Sequence, residues 1–202
     1  MSSIEEYLKD TEPAIRHLFG GLSSYDLMRP PSILPYIDKT GHVKMSKQEA
    51  DGFVQAHLDS FAFDTSRAIL AGSILQIAYM AIRLYSKKGK ANIKYQQFGI
   101  TENNSNLFVG REVHGIPLGL LIYAGRIQYS HWDEGEPDNK LASKVFAHLR
   151  SIYYDDLLSD MVYELDYPGH SPKSHYILRG ELRWKDIDDY LKDMREMLVE
   201  NG

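Results

Sequence analysis

The chain has 202 residues, enough for one domain with a substantial core, and its 43% hydrophobic and 25% charged residues are those of an ordinary globular protein. It has no cysteine, which excludes a disulfide framework, a thiolate nucleophile and a Cys-ligated zinc site. A formal net charge of −5 argues against a protein that coats nucleic acid through a large basic footprint, but leaves room for one locally basic site.

The N-terminal MSSIEEYLKD has neither the basic start nor the apolar core of a secretory signal, so a cytoplasmic location is expected. Residues 3–28 read as helix with a break at Gly20-Gly21. MRPPSILPYIDKTGHVKM follows. Its prolines and Asp38-Lys39-Thr40-Gly41 predict a loop with a tight turn and room for a small hairpin. That stretch divides the chain into an N-terminal helical arm with a Pro-rich loop, residues 1–45, and a main body, residues 46–202. Ser46-Lys47-Gln48-Glu49 is a capping-box pattern that opens a long helical region to about Ser86, with a break expected near Phe63–Ser66. Leu70, Ile74, Ile77, Ala78, Ala81 and Tyr85 form its apolar stripe, widened by Ala71, Leu75 and Ile82. Ser73, Gln76 and Arg83 make the stretch too polar for a comfortable membrane span, so a buried helix is expected and no membrane.

Lys87-Lys88-Gly89-Lys90 suits a helix end, residues 91–115 are mixed, and Asn103-Asn104-Ser105-Asn106 reads as loop. Pro117 fits the first turn of a helix running to about Trp132. One face of that helix holds Leu118, Leu121, Ile122, Gly125, Tyr129 and Trp132, and roughly the opposite face Ile116, Leu120, Tyr123 and Ile127. A helix apolar on both faces belongs in the middle of a bundle. Glu136-Pro137-Asp138-Asn139 breaks the chain before a helix with Val145, Phe146, Leu149, Ile152, Tyr153 and Leu157 as its stripe. Residues 166–174 predict a loop, and Tyr176–Trp184 an extended pair around Gly180. A last amphipathic helix covers Asp186 to Val199, with Ile187, Tyr190, Leu191, Met194 and Leu198 inward. The expected fold is all-α, a bundle of about five to seven helices with room for a short β-hairpin.

The constellation with chemical content is Gly125-Arg126-Ile127-Gln128-Tyr129-Ser130-His131. Buried charge is costly, so a central helix carrying Arg and His needs partners for them. Arginine brings a permanent cation with a donor fork for phosphate, and histidine a base and acid near neutral pH. Together they can cleave RNA without a metal. The structural alternative pairs Arg126 with a buried carboxylate and packs His131 against the helix end.

Arg126, four intervening residues and His131 match the Arg-x(4–6)-His motif of HEPN domains, which residues 50–160 resemble, and Ala68-Ile69-Leu70-Ala71-Gly72-Ser73-Ile74-Leu75 resembles the apolar first core helix of that family. The resemblance implies a metal-independent ribonuclease of a defence or toxin–antitoxin system, with Arg126 and His131 as catalytic pair and no cofactor. Its partners would be RNA, a partner protein of such a system, and a second copy of the chain. Five residues along a helix turn through ~140°, so the motif needs a long Arg reach, a local distortion or a second chain, and the family supplies the last by dimerising.

Gln128 and Tyr129 are further substrate-binding candidates, as are Arg111 and His114 of Arg111-Glu112-Val113-His114, a second Arg/His pair expected in a loop. Two other readings stay open, a non-catalytic HEPN-like binding or regulatory module and a helical scaffold with no nucleic-acid role. His131-Trp132-Asp133-Glu134 lacks the spacing that puts metal ligands on one helical face. His170 and His175 flank Ser171-Pro172 and are expected to be solvated.

Overall fold

The computed structural model describes residues 3–26, 45–88, 92–130, 140–152 and 173–199. The architecture is all-α with one two-stranded antiparallel sheet. Helix α1 spans Ile4–Asp26 and buries Leu8, Ile15, Phe19 and Leu22. Ser3 and Glu6 cap its start reciprocally, Ser3 N–H to Glu6 Oε2 at 2.8 Å and Glu6 N–H to Ser3 Oγ at 3.2 Å. The expected break at Gly20-Gly21 is absent. A Cβ at Gly21 would lie 3.3 Å from Leu70 Cδ1, so the glycine lets the next helix approach, and that packing outweighs the weak propensity. Pro13 also sits inside α1, on its exposed face.

Helix α2 runs unbroken over Lys47–Tyr85, its start held by the Ser46/Glu49 capping box. The break expected at Phe63–Ser66 is absent because its polar side chains bond along the helix: Ser66 Oγ donates to Ala62 O at 2.9 Å and Arg67 Nη1 pairs with Asp64 Oδ1 at 3.2 Å. Ala62–Tyr85 is long and apolar enough to cross a membrane by length and composition, with mean hydropathy 1.5, and 44% of it is buried within the fold.

A 3-10 turn at Ile93–Phe98 and another at Ser105–Leu107 follow. The asparagine-rich stretch is more ordered than a plain loop. Thr101 N–H donates to Asn104 Oδ1 at 2.7 Å, Asn104 Nδ2 donates to Gly99 O at 3.1 Å, and Ser105 and Asn106 are buried. Strands β1 (Glu112–Val113) and β2 (Ile116–Pro117) form a hairpin in the register Glu112 with Pro117 and Val113 with Ile116. His114 (φ 52°) and Gly115 (φ 76°) make its turn, the left-handed pair that a two-residue hairpin needs. Pro117 therefore lies on β2 rather than in the helical first turn expected for it, and Arg111 to His114 flank and form the hairpin rather than a loop.

Helix α3, Leu118–Ser130, is buried on both faces as its pattern predicts, with Leu118, Leu120, Leu121, Ile122, Ala124, Gly125 and Ile127 in the core. Helix α4, Lys140–Ile152, buries Val145, Phe146 and Leu149. Ile152, expected inward, is 40% exposed at its end, and Tyr153 and Leu157 lie outside the described residues, as do the stretches 29–44 and 136–139, expected as loops.

Tyr176–Trp184 is not an extended pair. A short helix α5, Ser174–Tyr176, continues into a π-helical turn, Ile177–Glu181. Ile177, Leu178, Glu181 and Leu182 all face inward, which a strand's alternation would not allow. Helix α6, Ile187–Leu198, starts at Asp186, whose carboxylate accepts the N–H groups of Asp188 and Asp189. Its inward face is the expected one, with Met197 and Asp193 added. One core cluster draws on α1, α2, α3, α4 and α6, with Trp184 the largest fully buried side chain.

Candidate functional site

Arg126 stands near the C-terminal end of α3 and reaches across to α2. Its Nε donates to Gln76 Oε1 at 2.6 Å, and its guanidinium carbon lies 5.3 Å from the centre of the Tyr79 ring. Arg83 approaches the same ring at 5.9 Å and donates from Nη1 to Tyr79 Oη at 3.2 Å. Tyr123 packs tilted against Tyr79 at 5.7 Å. Gln76, Tyr79 and Arg83 follow one another at helical three- and four-residue steps, so one row of α2 presents all three to this seam.

The described arginines are held in two ways, by carboxylates or, as Arg179 is by Trp184 O, Lys185 O and the Phe19 ring, by neutral acceptors and an aromatic face. Arg16, Arg67, Arg111 and Arg195 pair with Glu12, Asp64, Asp193 and Glu5. Among the described residues no carboxylate pairs with Arg126 or Arg83, and the Nη donors of Arg126 have no acceptor. The buried carboxylate of the structural alternative is thus replaced by a glutamine and an aromatic face, which orient a guanidinium without neutralising it. A half-buried cation held this way is suited to an anion with oxygen acceptors, phosphate above all.

His131 lies outside the described residues. Gln128 is 4% exposed and its Oε1 accepts the backbone N–H of Lys173 at 2.5 Å, so its polar end is used within the fold. Burial also holds the Lys173 ammonium below the ordinary lysine range. Tyr129 packs on Gly72, where a Cβ would come within 2.4 Å of the ring.

Arg111 and His114 occupy a different place. Arg111 grips Asp193 with two bonds of 2.9 Å, from Nε to Oδ1 and from Nη2 to Oδ2, and Nη2 also donates to Leu182 O at 2.7 Å. Trp184 Nε1 donates to the same carboxylate at 2.7 Å. His114 Nε2 lies 3.6 Å from Glu181 Oε2 on the π-helical turn, and its carbonyl is 3.0 Å from His148 Nε2. These two residues face the segment from 181 to 193, whereas Arg126 faces α2. His175, expected to be solvated, is half-buried on α5 beside Arg67 Nη2 at 3.3 Å, and His170 lies outside the described residues.

Sequence reasoning missed Gln76, Tyr79 and Arg83 as part of the site. The signal was present: Gln76 and Arg83 interrupt the most apolar helix seven residues apart, on one face. No family model, curated protein or solved structure matches the chain.

Proposed function

We propose that the chain is a HEPN-like, metal-independent RNA endonuclease of a defence or toxin–antitoxin system, with Arg126 and His131 as its catalytic pair. One observation carries this reading: Arg126 is oriented by Gln76 and Tyr79 and has no carboxylate partner among the described residues. Arg111, whose place is structural, is by contrast neutralised by Asp193.

In the proposed reaction the His131 imidazole takes the proton of a ribose 2′-hydroxyl. The 2′-oxygen attacks the adjacent phosphorus, the bond to the 5′-oxygen breaks, and that oxygen takes a proton from water, the resulting hydroxide being neutralised by the proton that His131 releases. Arg126 offsets the charge that builds on the non-bridging oxygens. The products are a 2′,3′-cyclic phosphate and a 5′-hydroxyl.

The test is cleavage of single-stranded RNA in EDTA, with the same sequence as DNA left intact. His131→Ala and Arg126→Ala should each lower the rate by at least ~100-fold. Arg126→Lys should rescue poorly, because a point charge lacks the planar fork. An intact RNA pool at all pH values tried overturns the enzyme reading.

A second reading, a non-catalytic HEPN-like module that binds or regulates, is favoured by the burial of Gln128 and the packing of Tyr129 on Gly72, which engage two expected substrate contacts in the fold. RNA bound but never cleaved would establish it.

A further inference from the structure

We propose that Tyr79 and Arg83, with Arg126, form a subsite for the nucleotide next to the scissile phosphate of a single-stranded RNA, Arg83 taking the neighbouring phosphate and the tyrosine–guanidinium surface supporting a base. This rests on the ribonuclease reading and adds two residues to it that the Arg-x4-His motif does not contain.

Three observations converge on it. Both guanidinium groups lie over one ring, at 5.3 and 5.9 Å, close enough for adjacent phosphates of one strand to reach both. Among the described residues no carboxylate pairs with either of them, in a chain whose net charge is −5, and a polyanion that bridges the two guanidiniums supplies the missing counter-charge. The third observation is the aromatic content. Tyr79 and Tyr123 are both only half-buried and pack at 5.7 Å, and the Arg83 guanidinium, planar by its own bonding, is tied to Tyr79 Oη. Bases of single strands stack on aromatic rings and on guanidinium planes, which a small inorganic anion cannot exploit. The neighbouring Met80 is exposed at 40%.

The experiment uses the full chain and a fluorescent 2′-O-methyl RNA strand, which lacks the nucleophile and so reports binding alone by anisotropy. Arg83→Ala and Tyr79→Leu should each weaken binding roughly tenfold. Arg83→Ala should also lower the slope of log K against log salt by ~0.7, the share of one phosphate contact. Arg83→Lys should keep that slope. Tyr79→Phe, which retains the ring, should bind nearly as the parent does and guards against misreading a folding defect in Tyr79→Leu. In cleavage of unmodified RNA, Arg83→Ala should raise KM and spare kcat. Lys192→Ala, on the exposed face of α6, is the control and should change nothing.

A parent that binds and cleaves while Arg83→Ala and Tyr79→Leu match it overturns the subsite and leaves the ribonuclease reading standing. A parent that neither binds the modified strand nor cleaves RNA overturns both. Competition by inorganic phosphate as effective as that by a nucleoside monophosphate overturns the base-stacking half.

Discussion

Asp193 illustrates how one buried side chain organises its surroundings. Its carboxylate accepts three hydrogen bonds, two from Arg111 and one from the Trp184 indole, and stitches the hairpin to α6 and to the segment before it. Asp193→Ala would strand the indole N–H and half-bury an unpaired guanidinium, at an expected cost of roughly 1–3 kcal/mol. Arg111→Ala should likewise lower the denaturant midpoint while leaving the activity of the folded fraction unchanged. Lost RNA affinity at unchanged stability would instead return Arg111 to the binding site. Tyr95 gives a pH prediction. Burial and the hydrogen bond to Glu112 push its phenol up to about 12, from the ordinary value of 10.0. A phenol whose folded-state value is raised adds stability that is complete below its unfolded value and is lost as pH climbs from there towards the folded value. Thermal melts should therefore show stability falling between pH 10 and 12, and Tyr95→Phe should flatten that fall. An identical slope in the variant would remove Tyr95 as a cause.

Between elements, the close approach of α2 and α3 depends on missing side chains. A Cβ at Gly72 would overlap the Tyr129 ring at 2.4 Å, and one at Gly125 would press on Leu75 Cδ1 at 2.9 Å. Gly72→Ala should destabilise by about 1–3 kcal/mol through overpacking. Combining it with Tyr129→Ala should cost less than the two changes separately, because the second removes what the first collides with. Strict additivity in that cycle would show that the ring moves away freely. The same logic explains the two helix breaks that sequence reasoning expected and the structure lacks. Gly21 is kept helical by its contact with Leu70, and Asp64, Ser66 and Arg67 find partners along their own helix. Local propensity is a fraction of a kcal/mol per residue, so a tertiary contact readily reverses it.

At the scale of the whole molecule, the proposed mechanism is expected to use a second chain, because five residues along a regular helix would offset an arginine and a histidine by ~140°. A two-fold homodimer is the assembly that brings two motifs to one cleft. Sedimentation should show a dimer with RNA present, and a monomer at high concentration would rule out a composite cleft. What the sequence by itself determined is what repeats along it. The capping box at Ser46, the stripes of α2, α3, α4 and α6, and the two-sided burial of α3 follow from local spacing, so the all-α class was legible without coordinates. Arg126 was legible too, because an arginine in an apolar helix is locally anomalous. Only the tertiary structure decided its partners. Gln76 lies fifty residues earlier in the chain, and Asp193 eighty-two residues after Arg111, and no local pattern records such distances. It also decided the π-helical turn at Ile177–Glu181, where Ile177, Leu178 and Glu181 are buried against the helices around them.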